Sequence, residues 1–212
     1  MIELVDISSA SNFVGNPLAE QHKLRYRSVI ERQKWDVPHH NGLEYDEYDN
    51  PAAKYLIYRD KLGIARGVSR FYSTHLPYML EEKFPHFVTK IQIPKDEKIW
   101  EGSRYCIDHK ISPKTRQDII NQLGIAYLEM GLNAGIDGIV GLTYPVFWKK
   151  LFIDLGWPIE FIGDVTKLDN GHKAQAAWLP VSQAILDNVR EVTGIYETVL
   201  YLGINNDNKK AA

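Results

Sequence analysis

The sequence lacks several things that mark other classes of protein. Its one cysteine, Cys106, excludes an internal disulfide. No stretch approaches the ~20 consecutive apolar residues needed to cross a bilayer. Met1 leads straight into the strand-like Ile2-Glu3-Leu4-Val5, without the basic and apolar segments of a leader. Charge of one sign is also missing: 25 Lys and Arg stand against 27 Asp and Glu, for a net charge of -2. That balance excludes a global basic field for nucleic acid or an anionic membrane, so recognition by charge must be local. No internal repeat, linker or low-complexity block is present. The expectation is a soluble cytoplasmic protein.

With 212 residues, 44% of them hydrophobic, the chain has the apolar surface for one α/β domain, read as residues 1–204 with a disordered tail over 205–212. After the first strand, the spacing predicts a helix over 17–32, capped by Asn16, with Leu18, His22, Tyr26, Val29 and Ile30 near one face. Residues 33–53 lack periodicity and hold Pro38, Gly42 and Pro51; loops of that length often carry function. β-rich runs at 54–59 and 64–72 flank the turn Asp60-Lys61-Leu62-Gly63 as a hairpin. A short helix over 76–84 and a strand over 98–108 follow. Ser112-Pro113 reads as a cap with proline at the first helical position, opening a helix with the apolar stripe Ile119, Ile120, Leu123, Tyr127 and Met130. The rest reads as a buried strand at 136–143, a helix at 146–155 stopped by Gly156, strands at 159–163 and 174–179, and a last helix at 183–193. Antiparallel pairing early and helical crossovers later predict a mixed sheet in a three-layer α-β-α sandwich, an α/β fold.

Four acids crowd into the six positions Glu44-Tyr45-Asp46-Glu47-Tyr48-Asp49, and their repulsion calls for a cation or arginines nearby. A solvated acidic loop is the plain alternative. A metal site using Asp46, Asp49 and His39-His40 is another, although the spacing fits neither a calcium loop nor a zinc motif. Arg66 and Arg70 share parity on one strand, and either could partner the acids. Glu101 and Arg104 are three apart on a strand, so ideal alternation puts them on opposite faces, while a bulge at Gly102 or Ser103 would bring them together. Taken singly, these charges read as ordinary exposed positions.

Taken in order, Arg25, Trp35, Glu44-x-Asp46-x-x-Asp49, Arg70, Phe84 and Glu101-x-x-Arg104 resemble the acyl-homoserine-lactone synthases of the LuxI type, over about residues 20–160. Arg66-Gly67-Val68-Ser69-Arg70 and Pro77-Tyr78-Met79-Leu80 carry the same resemblance. One position departs from it: Val29 stands where the family usually has an aromatic residue. The resemblance implies a fold like that of GCN5-related N-acyltransferases, with a cleft where two strands splay. It implies an enzyme that joins the acyl group of a thioester to the amine of S-adenosylmethionine, closes the lactone and releases methylthioadenosine. S-adenosylmethionine is then a consumed substrate; neither a cofactor nor a metal is implied. The glycine-rich pyrophosphate loop of that fold is missing, since His109-Lys110-Ile111-Ser112-Pro113-Lys114 holds no glycine. This favours an acyl-carrier protein over acyl-CoA as donor.

On this reading Glu101 is the general base, and backbone N–H groups at Gly102 and Ser103 hold the oxyanion. Arg25, Trp35, Glu44, Asp46, Asp49, Arg70 and Arg104 form the S-adenosylmethionine site. Phe84, Thr143, Phe147, Trp148, Leu151, Phe152 and Leu155 wall the acyl pocket, with simple core packing as the competing explanation. Lys149 and Lys150 offer a basic landing patch for the carrier. Two other functions remain: an N-acyltransferase using acyl-CoA on another amine, and a non-catalytic S-adenosylmethionine-binding module.

Overall fold

The computed structural model describes residues 1–204; the tail expected over 205–212 lies outside the described residues. In chain order the elements are β1 (Ile2–Val5), α1 (Pro17–Arg25), a π-helical segment (Tyr26–Arg32), β2 (His39–His40), β3 (Leu43–Glu44), β4 (Lys54–Arg59), β5 (Ala65–Ser73), α2 (Met79–Lys83), β6 (Ile99–Ile107), α3 (Pro113–Ala134), β7 (Gly138–Thr143), α4 (Pro145–Leu151), β8 (Glu160–Phe161), β9 (Thr166–Lys167), β10 (Lys173–Pro180), α5 (Gln183–Thr193) and β11 (Leu200–Tyr201). They gather into two compact units, and β5, β6 and α3 run through both.

Of the described residues, the first unit holds 1–70, 104–119 and 199–204. Its strands lie in the order β11, β1, β4, β5, β6. β1 runs antiparallel to β4, with Leu4 opposite Leu56, and parallel to β11, with Ile2 opposite Leu200. The β4–β5 hairpin closes because the Asp60 carboxylate accepts the N–H groups of Leu62 and Ile64, while Gly63 takes a φ of 78°. Ile2, Val5, Leu24, Leu56, Ile57, Ala65 and Val68 are fully buried.

Helix α1 begins as expected: the Asn16 side chain accepts the Ala19 N–H at 3.0 Å and Pro17 occupies the first turn. Its inward face differs from the apolar stripe read in the sequence. Pro17, Gln21, Leu24 and Arg25 are buried, whereas Leu18, His22 and Tyr26 are only half-buried. The reason is electrostatic, because the loop it packs against presents carboxylates that draw Arg25 inward. At Tyr26 the helix widens into a π turn, with Gln33 N–H reaching the carbonyl of Ser28 five residues back.

The second unit holds residues 71–103 and 120–198, with strands in the order β5, β6, β7, β10, β8. β6 and β7 pair in parallel from Ile99–Gly138 to Gly102–Gly141; β10 runs antiparallel to β7 from Gln175–Thr143 to Pro180–Gly138. The sheet is therefore mixed and the fold α/β, as the element pattern predicts. Phe71, Leu123, Tyr127, Ile139, Val140, Phe152, Trp157 and Leu179 form the core here. Helix α5 keeps its expected bounds, with Ser182 capping Ile185. Helix α2 is shorter than expected and the 159–163 strand shrinks to β8. The two-residue β9 and β11, and the β2–β3 ribbon inside the 33–53 loop, are too short to leave a period in the sequence. Among the described residues no helix is long and apolar enough to cross a membrane.

Candidate functional site

In the first unit the acids of the 44–49 loop meet three arginines. Arg25 forks both terminal nitrogens onto Asp49 at 2.7 Å each, and its Nε donates to Glu44 Oε2 at 2.5 Å. Arg70 forks onto Asp46 at 2.5 and 3.1 Å and reaches Asp49 at 3.0 Å. Arg104 donates from Nε to Glu44 Oε1 at 3.0 Å and from Nη2 to Asp46 at 2.6 Å. Three guanidinium groups and three carboxylates thus form one neutral lattice. Arg25, Arg70 and Glu44 are wholly buried. Planar, bidentate arginine suits such packing because each fork satisfies two lone pairs at once.

The loop is wound so that both aspartates point at the arginines. Asp46 Oδ1 accepts the Tyr48 N–H and Asp49 Oδ2 accepts the Asp46 N–H, each at 2.9 Å. Tyr55 donates its hydroxyl to Asp49 at 2.7 Å, and Arg70 lies over the Tyr48 ring at 5.6 Å. Burial alone would raise the Asp49 pKa, but Arg25, Arg70 and Tyr55 more than reverse this and hold it well below the usual carboxylate range. Burial would likewise lower the Arg25 pKa, and Asp49 with Glu44 drives it upward instead. Asp46 and Asp49 face arginines, and among the described residues no group of three or more His, Cys, Asp and Glu side chains is arranged around a metal position. Of the two candidate arginines on β5, Arg70 joins the cluster. Arg66 pairs instead with Asp60 at 2.8 Å and Asp108 at 2.7 Å.

Arg104 takes a φ of 53°, in the left-handed region that a non-glycine residue occupies at a cost of about 1–3 kcal/mol. The break in β6 thus falls one residue beyond the expected Gly102 or Ser103. Before it the buried positions are Glu101 and Ser103; after it the phase changes and Cys106 is buried. Two carboxylates, on Glu44 and Asp46, hold the strained residue in place. Burial pushes the Cys106 thiol up to about 11.

Also in the first unit, Tyr26, Ile30, Glu31, Lys34, Trp35 and Asp36 line an open pocket of about 400 Å³. Trp35 is half-buried there, and its backbone N–H donates to Val29 O at 3.1 Å. The π turn contributes three of the six lining residues.

In the second unit Glu101 is 2% exposed, and its Oε1 accepts the backbone N–H of Leu80 at 2.6 Å. That N–H belongs to the first turn of α2, whose start is pinned by the Tyr78 hydroxyl bonded to Pro94 O at 2.8 Å. Gly102 faces Ile139, Phe71 and Tyr127, and the Gly102 carbonyl would lie 3.0 Å from a Cβ on Gly141.

The residues named for an acyl wall divide. Trp148, Phe152 and Leu155 are buried, with Phe152 5.7 Å from Tyr127 and 5.8 Å from Trp157, centroid to centroid. Leu151 and Thr143 are half-buried, the latter opposite Gln175. Phe147 is exposed and stacks on Tyr144 at 5.6 Å, and half-buried Phe84 sits edge-on to Phe87 at 6.2 Å. Lys149 and Lys150 are exposed on α4, and Lys149 is paired with Asp154. Sequence reasoning missed four uncharged partners: Tyr55, Tyr48, the Leu80 N–H, and Gln21, whose Oε1 accepts from Arg25 at 3.2 Å.

Against this geometry, the autoinducer synthase family model matches residues 10–189. The chain is similar to an acyl-homoserine-lactone synthase of Aeromonas hydrophila, 31% identical over 156 residues, covering 72% of this chain and 74% of that one. It is also similar to the solved structure of a CoA-dependent acyl-homoserine lactone synthase, BjaI, with SAM and isopentyl-CoA: TM-score 0.83 and 25% identity, over 98% of this chain and 95% of that one. A putative N-acetyltransferase from Lactobacillus plantarum shares the fold at 12% identity, TM-score 0.53, over 85% of this chain and 99% of that one. The chain therefore belongs to the autoinducer synthase family and is an acyl-homoserine-lactone synthase.

Proposed function

We propose that the chain, as a cytoplasmic enzyme, makes an N-acyl-homoserine lactone from S-adenosylmethionine and the thioester of an acyl-carrier protein. The neutral lattice of Arg25, Arg70 and Arg104 with Glu44, Asp46 and Asp49 is the observation that carries this. S-adenosylmethionine bears a sulfonium, an ammonium and a carboxylate. A lattice holding both signs in fixed places offers oxygens to the cations and guanidinium N–H groups to the carboxylate, without a net field that would attract any cation. Arg104, at 13% the most exposed of the three arginines, meets the substrate carboxylate. Asp46 and Asp49 shape the cationic side, and Trp35 packs on the ligand from its pocket.

Amide formation comes first. The substrate ammonium loses a proton to Glu101, directly or through one water, and its nitrogen attacks the thioester carbonyl. N–H groups at Gly102 and Ser103 hold the oxyanion, which collapses with loss of the carrier thiolate and the second nitrogen proton. The substrate carboxylate then attacks its own γ-carbon, and the C–S bond breaks to release neutral methylthioadenosine. That step needs mainly orientation. Phe84, Thr143, Phe147, Trp148, Leu151, Phe152 and Leu155 would flank the acyl chain, and Lys149 with Lys150 would receive the acidic carrier.

The carrier is favoured over CoA by the turn from β6 to α3. There the Lys110 N–H is spent on Asp108 Oδ1 at 2.9 Å and the Thr115 N–H on Ser112 at 3.1 Å, which leaves fewer amides for a pyrophosphate. The similarity to a CoA-dependent synthase supports the opposite donor. Purified protein given S-adenosylmethionine with each donor in parallel decides. Free thiol and methylthioadenosine should appear in equal amounts, with the higher kcat/KM for the carrier thioester. A higher value for acyl-CoA overturns the donor; methylthioadenosine missing with both overturns the function. Glu101→Gln should lower kcat roughly 10²- to 10⁴-fold and recover partly at high pH.

A further inference from the structure

Helix α1 reaches the acidic loop with a second side chain besides Arg25. His22, three residues earlier and so on the same side of the helix, places Nδ1 2.8 Å from the backbone carbonyl of Glu44. A carbonyl only accepts, so Nδ1 carries the hydrogen and Nε2 the lone pair. The ring also sits edge-on to Tyr55 at 6.3 Å, and Tyr55 in turn donates to Asp49. Imidazole and phenol therefore touch the loop at Glu44 and at Asp49, the two residues that Arg25 holds through Nε and through its terminal fork.

We propose that His22 is a positioning residue for the S-adenosylmethionine site, holding the Glu44 backbone so that its carboxylate bridges Arg25 and Arg104. This rests on the substrate site proposed above. Glu44 must give one oxygen to each arginine, 2.5 Å to Arg25 and 3.0 Å to Arg104, and a small rotation of its backbone loses one of them. The Arg104 backbone is strained and depends on that contact. A fourth cation in place of His22 would disturb the neutral lattice. Burial and then the charge of Arg25 hold the imidazole pKa below its ordinary value, so the ring works as an uncharged donor.

Three variants and one spectrum test this on the full chain. His22→Phe keeps the ring and removes the donor; His22→Asn puts an amide nitrogen where Nδ1 stood. Calorimetry should show His22→Phe weakening S-adenosylmethionine binding roughly five- to twentyfold, the scale of one lost buried hydrogen bond, with kcat at saturation changed less than about twofold. His22→Asn should recover to within about threefold of the parent, and His22→Leu should match His22→Phe. Long-range ¹⁵N spectra of the parent should show His22 as the Nδ1–H tautomer. Parent-like binding by His22→Phe, no recovery in His22→Asn, or an Nε2–H tautomer overturns the role of His22. If the parent itself binds no S-adenosylmethionine, the substrate site falls and this role with it. Should His22→Phe fail to fold, His22→Asn and the tautomer decide.

Discussion

Asp49→Asn is the sharpest test of the arginine–carboxylate lattice. Oδ1 of Asp49 takes Arg25 and Tyr55 at 2.7 Å each and Arg70 at 3.0 Å; Oδ2 takes Arg25 at 2.7 Å and the Asp46 N–H at 2.9 Å. The amide oxygen can replace only one of these. In the better orientation it keeps the Oδ1 contacts, and the NH₂ then faces two donors. One charge is also lost, leaving three buried or half-buried arginines against Glu44 and Asp46. Removing one partner of a buried pair costs about 3–5 kcal/mol. For a chain of this size that lowers Tm by about 10 °C or somewhat more, inside a typical stability of about 5–15 kcal/mol, so the variant still folds at 25 °C. Urea unfolding followed by tryptophan fluorescence measures the loss. Asp49→Asn combined with Arg70→Gln restores neutrality and should be more stable than the sum of the single losses by at least about 1 kcal/mol. A single loss below about 1 kcal/mol, with additive behaviour in the double variant, would mean that Asp49 is an ordinary solvated loop charge.

Three further outcomes are expected. Asp49 and Asp108 have pKa values lowered in the folded state, so their stabilisation is present above about pH 4 and lost as pH falls below it. His22 is also lowered, so the unfolded chain takes its proton first and stability falls as pH drops below about 6.5; urea midpoints should decline there and again below pH 4, and His22→Phe should remove only the first decline. In Gly163→Ala the new Cβ would lie 1.8 Å from the Phe87 carbonyl oxygen, a backbone atom that cannot rotate away, so a loss of about 3 kcal/mol in denaturant titration is expected. Lys150→Glu should raise KM for the carrier thioester but not for S-adenosylmethionine, more than Lys149→Glu does, because Lys149 is already paired with Asp154; the effect should fade with added salt in initial-rate assays.

The charge crowding of the acidic loop was legible in the sequence, its partners only in part. Four acids within six residues call for cations nearby, but that crowding alone left a solvated loop, a metal and Arg66 or Arg70 open. The resemblance in residue order set Arg25 and Arg70 beside Asp46 and Asp49, while Arg104, expected at the substrate carboxylate, also pairs with Glu44 and Asp46. The inward face of α1 was not legible, because an apolar stripe finds the buried side only where the neighbour is apolar, and here it is a carboxylate. Tyr55 and the Leu80 N–H left no trace, since an uncharged donor adds nothing to a charge pattern. The left-handed Arg104 was equally silent: arginine has no preference for that conformation, and only the contacts of its own guanidinium hold it there. Long elements such as α3 and α5 emerged from caps and periodicity, whereas β8, β9 and β11 take their places from neighbouring strands alone.

The π turn over Tyr26–Arg32 behaves as one surplus residue wound into a helix. A residue added to an ordinary helical stretch swings everything beyond it by about 100° about the helix axis, whereas the wider turn takes up its surplus residue locally and leaves the phase beyond it nearly unchanged. Arg25 lies before the turn and Trp35 after it, so taking one residue out and letting the turn relax to ordinary pitch would leave both facing much as they do. The turn therefore acts as a local spacer, in which Tyr26, Ile30 and Glu31 of the pocket lining can be re-spaced without turning the charge lattice away from Trp35.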